Sequence, residues 1–294
     1  MSKRVLITGT SSGFGNLITK TLLNKGHTVV ASMRGIYGKN KNAAEELKAA
    51  GAHIVELDVT ADHSVEQGVK KASEFADGLD VLVNNAGIGV LGMQEFFTPE
   101  DWKKLFEVNV FGVQRVNRAV IPQMRENGKG LLIHVSSLLG RFTLPFYGPY
   151  NASKWALEAM VENYRTELSG FGVESCIVEP GGFPTEFADA LLKPSDKSRE
   201  NSYGEFAKVP MQVLESFEKA LASNPEQDPQ TVADAVAALV DAPAGERKFR
   251  TVVDKMGMGN HIEGYNDKLD EVTTGIYSAF GMEDMLKPKV KVLQ

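Results

Sequence analysis

The sequence predicts an α/β fold: a doubly wound parallel sheet covered by helices on both faces. Three observations lead there. Short β-branched runs alternate with longer segments of helical spacing, the strand runs are apolar almost throughout, and a glycine-rich turn joins the first strand to the first helix. A β-α alternation makes neighbouring strands parallel with right-handed crossovers, and a strand covered on both faces has no polar side to show.

Residues 4–8, 28–31, 53–57, 81–83, 131–135 and 174–178 read as strands. Helical spacing fills the intervals through Leu17, Thr21 and Leu22 and over 44–50, 65–76, 102–124 and 152–168. After about residue 182 the alternation lapses into a stretch rich in Pro, Lys, Glu and aromatics, so 183–229 is expected to be an insertion with short helices that roofs a substrate site. Residues 231–240 predict one more helix and 249–253 one more strand. The segment 257–294 reads as a C-terminal helical extension with its helix at 267–280, and Lys287, Lys289 and Lys291 as a solvated tail. No repeat or low-complexity linker divides the chain, which predicts a single domain over 1–294.

Composition narrows the function. With 43% hydrophobic and 24% charged residues the chain is of ordinary globular type, and a net charge of −6 argues against a nucleic-acid partner. The single cysteine, Cys176, excludes an internal disulfide framework and suits a reducing, cytoplasmic setting. No run reaches the roughly 18 apolar residues a membrane span needs, and the opening Val5-Leu6-Ile7 is too short for a signal peptide. The five histidines, His27, His53, His63, His134 and His261, have no metal-ligand spacing, so no metal is expected.

The first strand runs straight into Thr8-Gly9-Thr10-Ser11-Ser12-Gly13-Phe14-Gly15, with a helical pattern following at once. Glycines there let the backbone turn tightly and bring its amides to a pyrophosphate at the positive end of the helix dipole. Placement between strand and helix favours a dinucleotide-binding, Rossmann-type turn over an ordinary one. The end of the second strand, Ala31-Ser32-Met33-Arg34, offers an arginine and no acid, which predicts NADP(H) in preference to NAD(H).

Tyr150 and Lys154 stand at i and i+4, one face of a helix. A phenol is a poor acid–base catalyst at pH 7 unless a neighbouring cation stabilises its anion, and Lys154 supplies that cation. Ser137, thirteen residues ahead of the tyrosine, follows an apolar strand at its carboxyl end, where ligands bind in open α/β sheets. Ser136 is the adjacent alternative. Asp58 follows the third strand and Asn84-Asn85-Ala86-Gly87 the fourth in the same way.

The glycine turn, Asp58, Asn84 to Gly87, Asn109, Ser137, Tyr150, Lys154 and Pro180-Gly181 together resemble, in order and spacing, the compact branch of the short-chain dehydrogenase/reductase family over about residues 3–255. The resemblance implies hydride transfer between a nicotinamide cofactor and a small-molecule alcohol or carbonyl compound. Tyr150 would exchange the proton, Ser137 hold the substrate oxygen, Lys154 bind the nicotinamide ribose and lower the tyrosine pKa, and Asn109 anchor a relay water. Asp58 and Val59 would meet the adenine, Asn85-Ala86-Gly87 the adenosine ribose, and Pro180, Gly181, Phe183 and Thr185 the nicotinamide. It also implies a homodimer or homotetramer through the helices at 102–124 and 152–168. Apolar residues after Ser137 and in the insertion, among them Phe142, Leu144, Phe187 and Phe217, point to a bulky apolar substrate. The competing readings are a reductase of acyl-carrier or sugar-like substrates, and a redox-sensing regulator that keeps the cofactor pocket without turnover.

Overall fold

The computed structural model describes residues 1–289. Its strands are β1 (Arg4–Thr8), β2 (Thr28–Met33), β3 (His53–Glu56), β4 (Val81–Asn84), β5 (Gly130–Val135), β6 (Val173–Pro180) and β7 (Arg250–Val253). They form one parallel sheet in the order β3-β2-β1-β4-β5-β6-β7. The chain reverses its direction of travel between β1 and β4, which opens a crevice beyond their carboxyl ends.

Side-chain alternation along the strands sorts the helices into two layers. Val5, Ile7 and Val29 face helices α1 (Gly13–Asn24) and α9 (Gln230–Asp241), with α2 (Lys41–Ala49) packed beside them on Ala31 and Met33. Leu6, Val30 and Leu82 face the opposite layer, α3 (Asp62–Ala76) and α5 (Val113–Asn127), and α6 (Gly148–Glu167) continues that layer over Ile177. The segment 183–229 contributes α7 (Glu200–Tyr203) and α8 (Val209–Ala222). It is fastened to the domain at Asp101, a carboxylate 2% exposed that caps α4 (Pro99–Phe106) and also accepts the Ser195 amide and hydroxyl at 3.0 and 2.7 Å.

Two predicted helices differ from the structure. The helix expected over 102–124 is divided: between α4 and α5, residues Glu107–Gly112 form π-helical turns. A side chain at Gly112 would lie 2.8 Å from Val59, so α5 lies hard against the loop after β3. Hydrophobic periodicity does not register a single inserted residue. The C-terminal helix α10 (Gly259–Ala279) begins eight residues earlier than expected, in a stretch whose glycines and asparagines are weak helix formers. Its start is capped tertiarily, by the Asp254 carboxylate on the amides of Met258 and Gly259 at 2.9 and 3.0 Å. Lys291 lies outside the described residues.

A buried polar chain crosses the sheet behind the crevice. Asn84 Nδ2 donates to Asn117 Oδ1 at 2.8 Å, Asn117 Nδ2 contacts His134 Nε2 at 3.1 Å, and His134 Nδ1 reaches the Cys176 carbonyl at 3.3 Å. One direction satisfies every atom: Nδ1–H donates to Cys176 and Nε2 accepts from Asn117, so His134 is neutral. Burial pulls its pKa down to about 4, against the upward pull of the Cys176 carbonyl.

An unfolded histidine titrates near 6.5, so between about pH 6.5 and 4 the unfolded chain takes up a proton that the fold refuses. The stabilisation is therefore complete above pH 6.5 and is lost as pH falls toward 4, by an amount on the order of 3 kcal/mol. Urea titrations should show the midpoint dropping across that window, with a shallower drop in His134→Gln; equal slopes in the two proteins would contradict the assignment.

Candidate active site

A cleft of about 470 Å³ runs along the carboxyl ends of the strands. At one end the turn after β1 is shaped by two glycines. Gly9 takes φ +71°, and a side chain at Gly15 would sit 2.2 Å from the Gly9 carbonyl oxygen. The turn therefore closes tightly on itself where α1 begins at the cleft wall, a fit for a pyrophosphate, and in this structure the Gly13 amide donates to the Glu186 carboxylate at 3.2 Å. Asn85 clamps the β4 end against it, donating from Nδ2 to the carbonyls of Thr8 and Gly9 at 3.0 and 2.9 Å.

Of the residues singled out from sequence, Gly9, Ser11, Ser12, Gly13, Phe14, Arg34, Asp58, Val59, Asn85, Ala86, Gly87, Ser137, Tyr150, Lys154, Pro180, Gly181, Phe183 and Thr185 all line this cleft. Gly15 and Asn109 stand behind its wall. Asn109 is 1% exposed, and its amide is committed: Oδ1 accepts the Ile88 amide at 2.9 Å, and Nδ2 donates to the Ile88 carbonyl at 2.9 Å and to Ser153 Oγ at 3.1 Å. Phe14 and Phe183 meet edge to face at 5.5 Å, so part of their role is packing.

At the end of the cleft beside β2 and β3, Arg34 Nη1 lies 3.6 Å from Asp58 Oδ2. Burial pushes the Asp58 carboxyl up, but the Thr60 amide and hydroxyl together with Arg34 outweigh it and hold it below the usual carboxylate range. Lys39 also lines this end, a cation the sequence reading missed. The signal for it was tertiary: Glu56 accepts the amides of Gly35 and Ile36 at 2.6 and 2.9 Å and folds the loop back so that Lys39 faces the cleft.

At the other end Tyr150 and Lys154 lie on the inward face of α6, 9% and 6% exposed, with Lys154 Nζ 5.5 Å from the tyrosine ring centre. Nζ donates to the Val135 carbonyl at 2.9 Å. Burial lowers the lysine pKa to about 8, against the pull of Glu158, and raises the tyrosine to about 12, with the Ser137 hydroxyl drawing it down. Both groups therefore hold their protons at pH 7, and the phenol stands above its ordinary value, not below it as its lysine neighbour predicts, because burial outweighs every stabilisation of the anion. Ser136 is distinguished from Ser137 by direction: its hydroxyl is buried beside Gly140 and Glu158 rather than near the phenol. Just before α6, Phe146 takes φ +75°, a strained conformation for a bulky residue, fixed where its carbonyl accepts the Gly92 amide at 2.9 Å.

A dinucleotide-sized crevice at the switch point of a parallel sheet, with a protonated phenol and ammonium at one end, defines a nicotinamide-type oxidoreductase. Residues 3–196 match the short chain dehydrogenase family, and the chain belongs to it: an oxidoreductase acting on alcohol and carbonyl groups. It is 35% identical over 253 residues to the uncharacterized oxidoreductase YusZ of Bacillus subtilis, covering 81% of this chain and 85% of that one. With retinol dehydrogenase 8 of Bos taurus it shares 32% over 261 residues, 85% and 81% of the two chains. A short-chain dehydrogenase structure from Streptomyces avermitilis superposes with a TM-score of 0.73 at 28% identity, covering 96% of this chain and 98% of that one. Among the solved structures it resembles, some hold NADP(H) and others NAD(H). Among the described residues no group of His, Cys, Asp and Glu could hold a metal ion, and no helix is long and apolar enough to cross a membrane.

Gly15→Ala should collapse the turn against Gly9, lowering the thermal midpoint by several degrees and abolishing dinucleotide binding, as read by calorimetry and by nicotinamide fluorescence titration. A Gly15→Ala protein with normal affinity would remove the turn from the site.

Proposed function

We propose that the chain is an NADP-dependent oxidoreductase that moves a hydride between the nicotinamide ring and a carbonyl or alcohol carbon of a bulky apolar substrate. The observation that carries this reading is the convergence of the Tyr150 phenol, the Lys154 ammonium and the Ser137 hydroxyl at one end of the cleft whose other end is the glycine turn. The dinucleotide, when bound, supplies or accepts the hydride.

Tyr150, protonated at pH 7, donates its proton to the substrate oxygen in reduction and recovers one in oxidation. Ser137 holds the same oxygen by a hydrogen bond. Lys154 favours the phenolate by its charge, and two of its three donors remain for ribose hydroxyls once Val135 has taken one. Asn109 anchors a relay water at the π turn, although its side-chain amide is already engaged by Ile88 and Ser153. Asp58 and Val59 meet the adenine, Asn85 to Gly87 the adenosine ribose, and Pro180, Gly181, Phe183 and Thr185 the nicotinamide.

Preference for NADP(H) is supported by Arg34 and Lys39 at the adenosine end, and by Glu56, at the end of β3, being used up on the loop amides. The apolar substrate is supported by Leu139, Phe142, Leu144, Phe187, Leu214 and Phe217 around the catalytic end, with 183–229 as the lid, and by the likeness to a retinol dehydrogenase. A homodimer or homotetramer is supported by Phe111 and Trp155, large apolar side chains 49% and 42% exposed on the segments the family pairs through. A reducing, cytoplasmic setting suits the single buried thiol of Cys176.

Tyr150→Phe should lower turnover about a thousandfold with NADPH affinity retained; near-normal turnover would overturn the mechanism. Arg34→Ala should raise the KM for NADPH roughly 10- to 100-fold and leave that for NADH nearly unchanged, while equal effects on both would remove the 2′-phosphate assignment. In the reductive direction kcat/KM should be level below about pH 8 and fall above it, as Lys154 loses its proton; a profile flat through pH 9.5 would contradict that role.

A further inference from the structure

Glu158 follows Lys154 by one helical turn of α6, and its side chain is 2% exposed. Its Oε2 accepts from Arg141 Nη2 at 2.6 Å and lies 3.4 Å from Arg250 Nε. Arg141 ends the short turn that Ser137 begins, and its Nε also reaches Glu179 of β6 at 3.0 Å. Glu179, fully buried, accepts Asn266 Nδ2 of α10 on its other oxygen at 2.5 Å. Two guanidinium groups and two carboxylates thus share one buried site, with Glu162 and Asp270 holding the outer edge of Arg250.

Stability alone is a poor reason for such a site, because well-packed apolar residues of the same volume are usually as stabilising as a buried ion pair. What the ions do provide is fixed geometry. They tie four elements together: the loop that carries Ser137, the helix that carries Tyr150 and Lys154, the strand leading to Pro180, and the C-terminal helix. The second oxygen of Glu158 and the hydroxyl of Ser136 are buried without a partner on either side of Gly140, where a side chain would come within 3.2 and 3.0 Å of them. Burial and the neighbouring Glu179 push the Glu158 carboxyl up while the two guanidinium groups draw it back down, and Lys154 is the cation one turn away on the same face.

We propose that Glu158 is a positioning residue for the proton-handling pair: through Arg141 it fixes the Ser137 loop to α6, and its carboxylate sustains the charge of Lys154. The proposal rests on the catalytic reading above and deepens it. The charged groups that face Glu158 are Arg141 from the loop, Glu179 from β6, Arg250 from β7, and Lys154 and Glu162 from α6 itself; Asp270 of α10 is reached through Arg250. A neutral isostere removes one negative charge and leaves the two guanidinium groups facing Glu179 as the one fully buried carboxylate of the site. The loss makes Lys154 easier to deprotonate.

The test compares Glu158→Gln, Glu158→Asp, Tyr150→Phe and Glu174→Gln. Glu174 forms a separate buried ion pair with Arg247, away from the cleft, and controls for the loss of a buried carboxylate in general. Glu158→Gln should lower reductive kcat at least tenfold at pH 7, change NADPH affinity less than threefold, and move the falling limb of the kcat/KM profile down by about one pH unit. Glu158→Asp keeps the charge, so the limb should stay in place while kcat falls from the shortened reach to Arg141. Glu174→Gln should lower the thermal midpoint without moving the limb. An unmoved limb and normal kcat in Glu158→Gln would overturn the proposal, as would a limb that moves equally in Glu174→Gln. If Glu158→Gln does not fold, Glu158→Asp decides: wild-type kcat there overturns it. An active Tyr150→Phe would sink the catalytic reading itself, so the two failures are told apart.

Discussion

The ammonium of Lys154, buried on the inward face of α6 and donating to the Val135 carbonyl at 2.9 Å, is the interaction on which the rest of the site depends. A charge taken out of water costs free energy unless dipoles or counter-charges replace the lost hydration. That need fixes α6 against the end of β5 and sets the register of Tyr150. It also accounts for a carboxylate, Glu158, being kept in an otherwise closed interior one turn further on.

The crevice depends on two further constraints. The sheet changes direction between β1 and β4, and Asn85 holds the two strand ends together through the Thr8 and Gly9 carbonyls. Without that clamp the glycine turn and the segment Ala86–Gly87 would not share one wall. Behind the wall, the oriented chain Asn84, Asn117, His134 and the Cys176 carbonyl spans β4, α5, β5 and β6 with every partner satisfied. Buried polar chains of this kind rigidify when complete, and a rigid floor keeps the phenol and the serine hydroxyl in fixed relation.

The C-terminal helix is part of the same support. It reads in sequence as an appendage, yet Asn266 enters the ion network at Glu179, and Asp254 caps the helix where it leaves β7. Arg165 and Arg250 both stack on Phe249, at 4.2 and 4.5 Å from the ring centre, packing the same corner.

The sequence by itself determined the strands, the layer order and nearly all of the cleft. Strand runs are buried on both faces, the glycine turn is a local backbone requirement, and Tyr150, Lys154 and Ser137 owe their places to helix pitch and strand ends, all of which are short-range properties. Even the boundaries of β1 follow from those rules, whereas the choice of Ser137 over Ser136 rests on its thirteen-residue spacing from Tyr150. What only the tertiary structure decided lies between segments distant in the chain: the π turns at Glu107–Gly112, set by packing on Val59; the entry of Lys39 into the cleft, set by Glu56; the early start of α10, set by Asp254; and the union of Arg141, Glu158, Glu179 and Arg250. Charged residues look alike in a sequence whether solvated or buried, because periodicity records which faces are apolar and not which polar groups find one another in the interior.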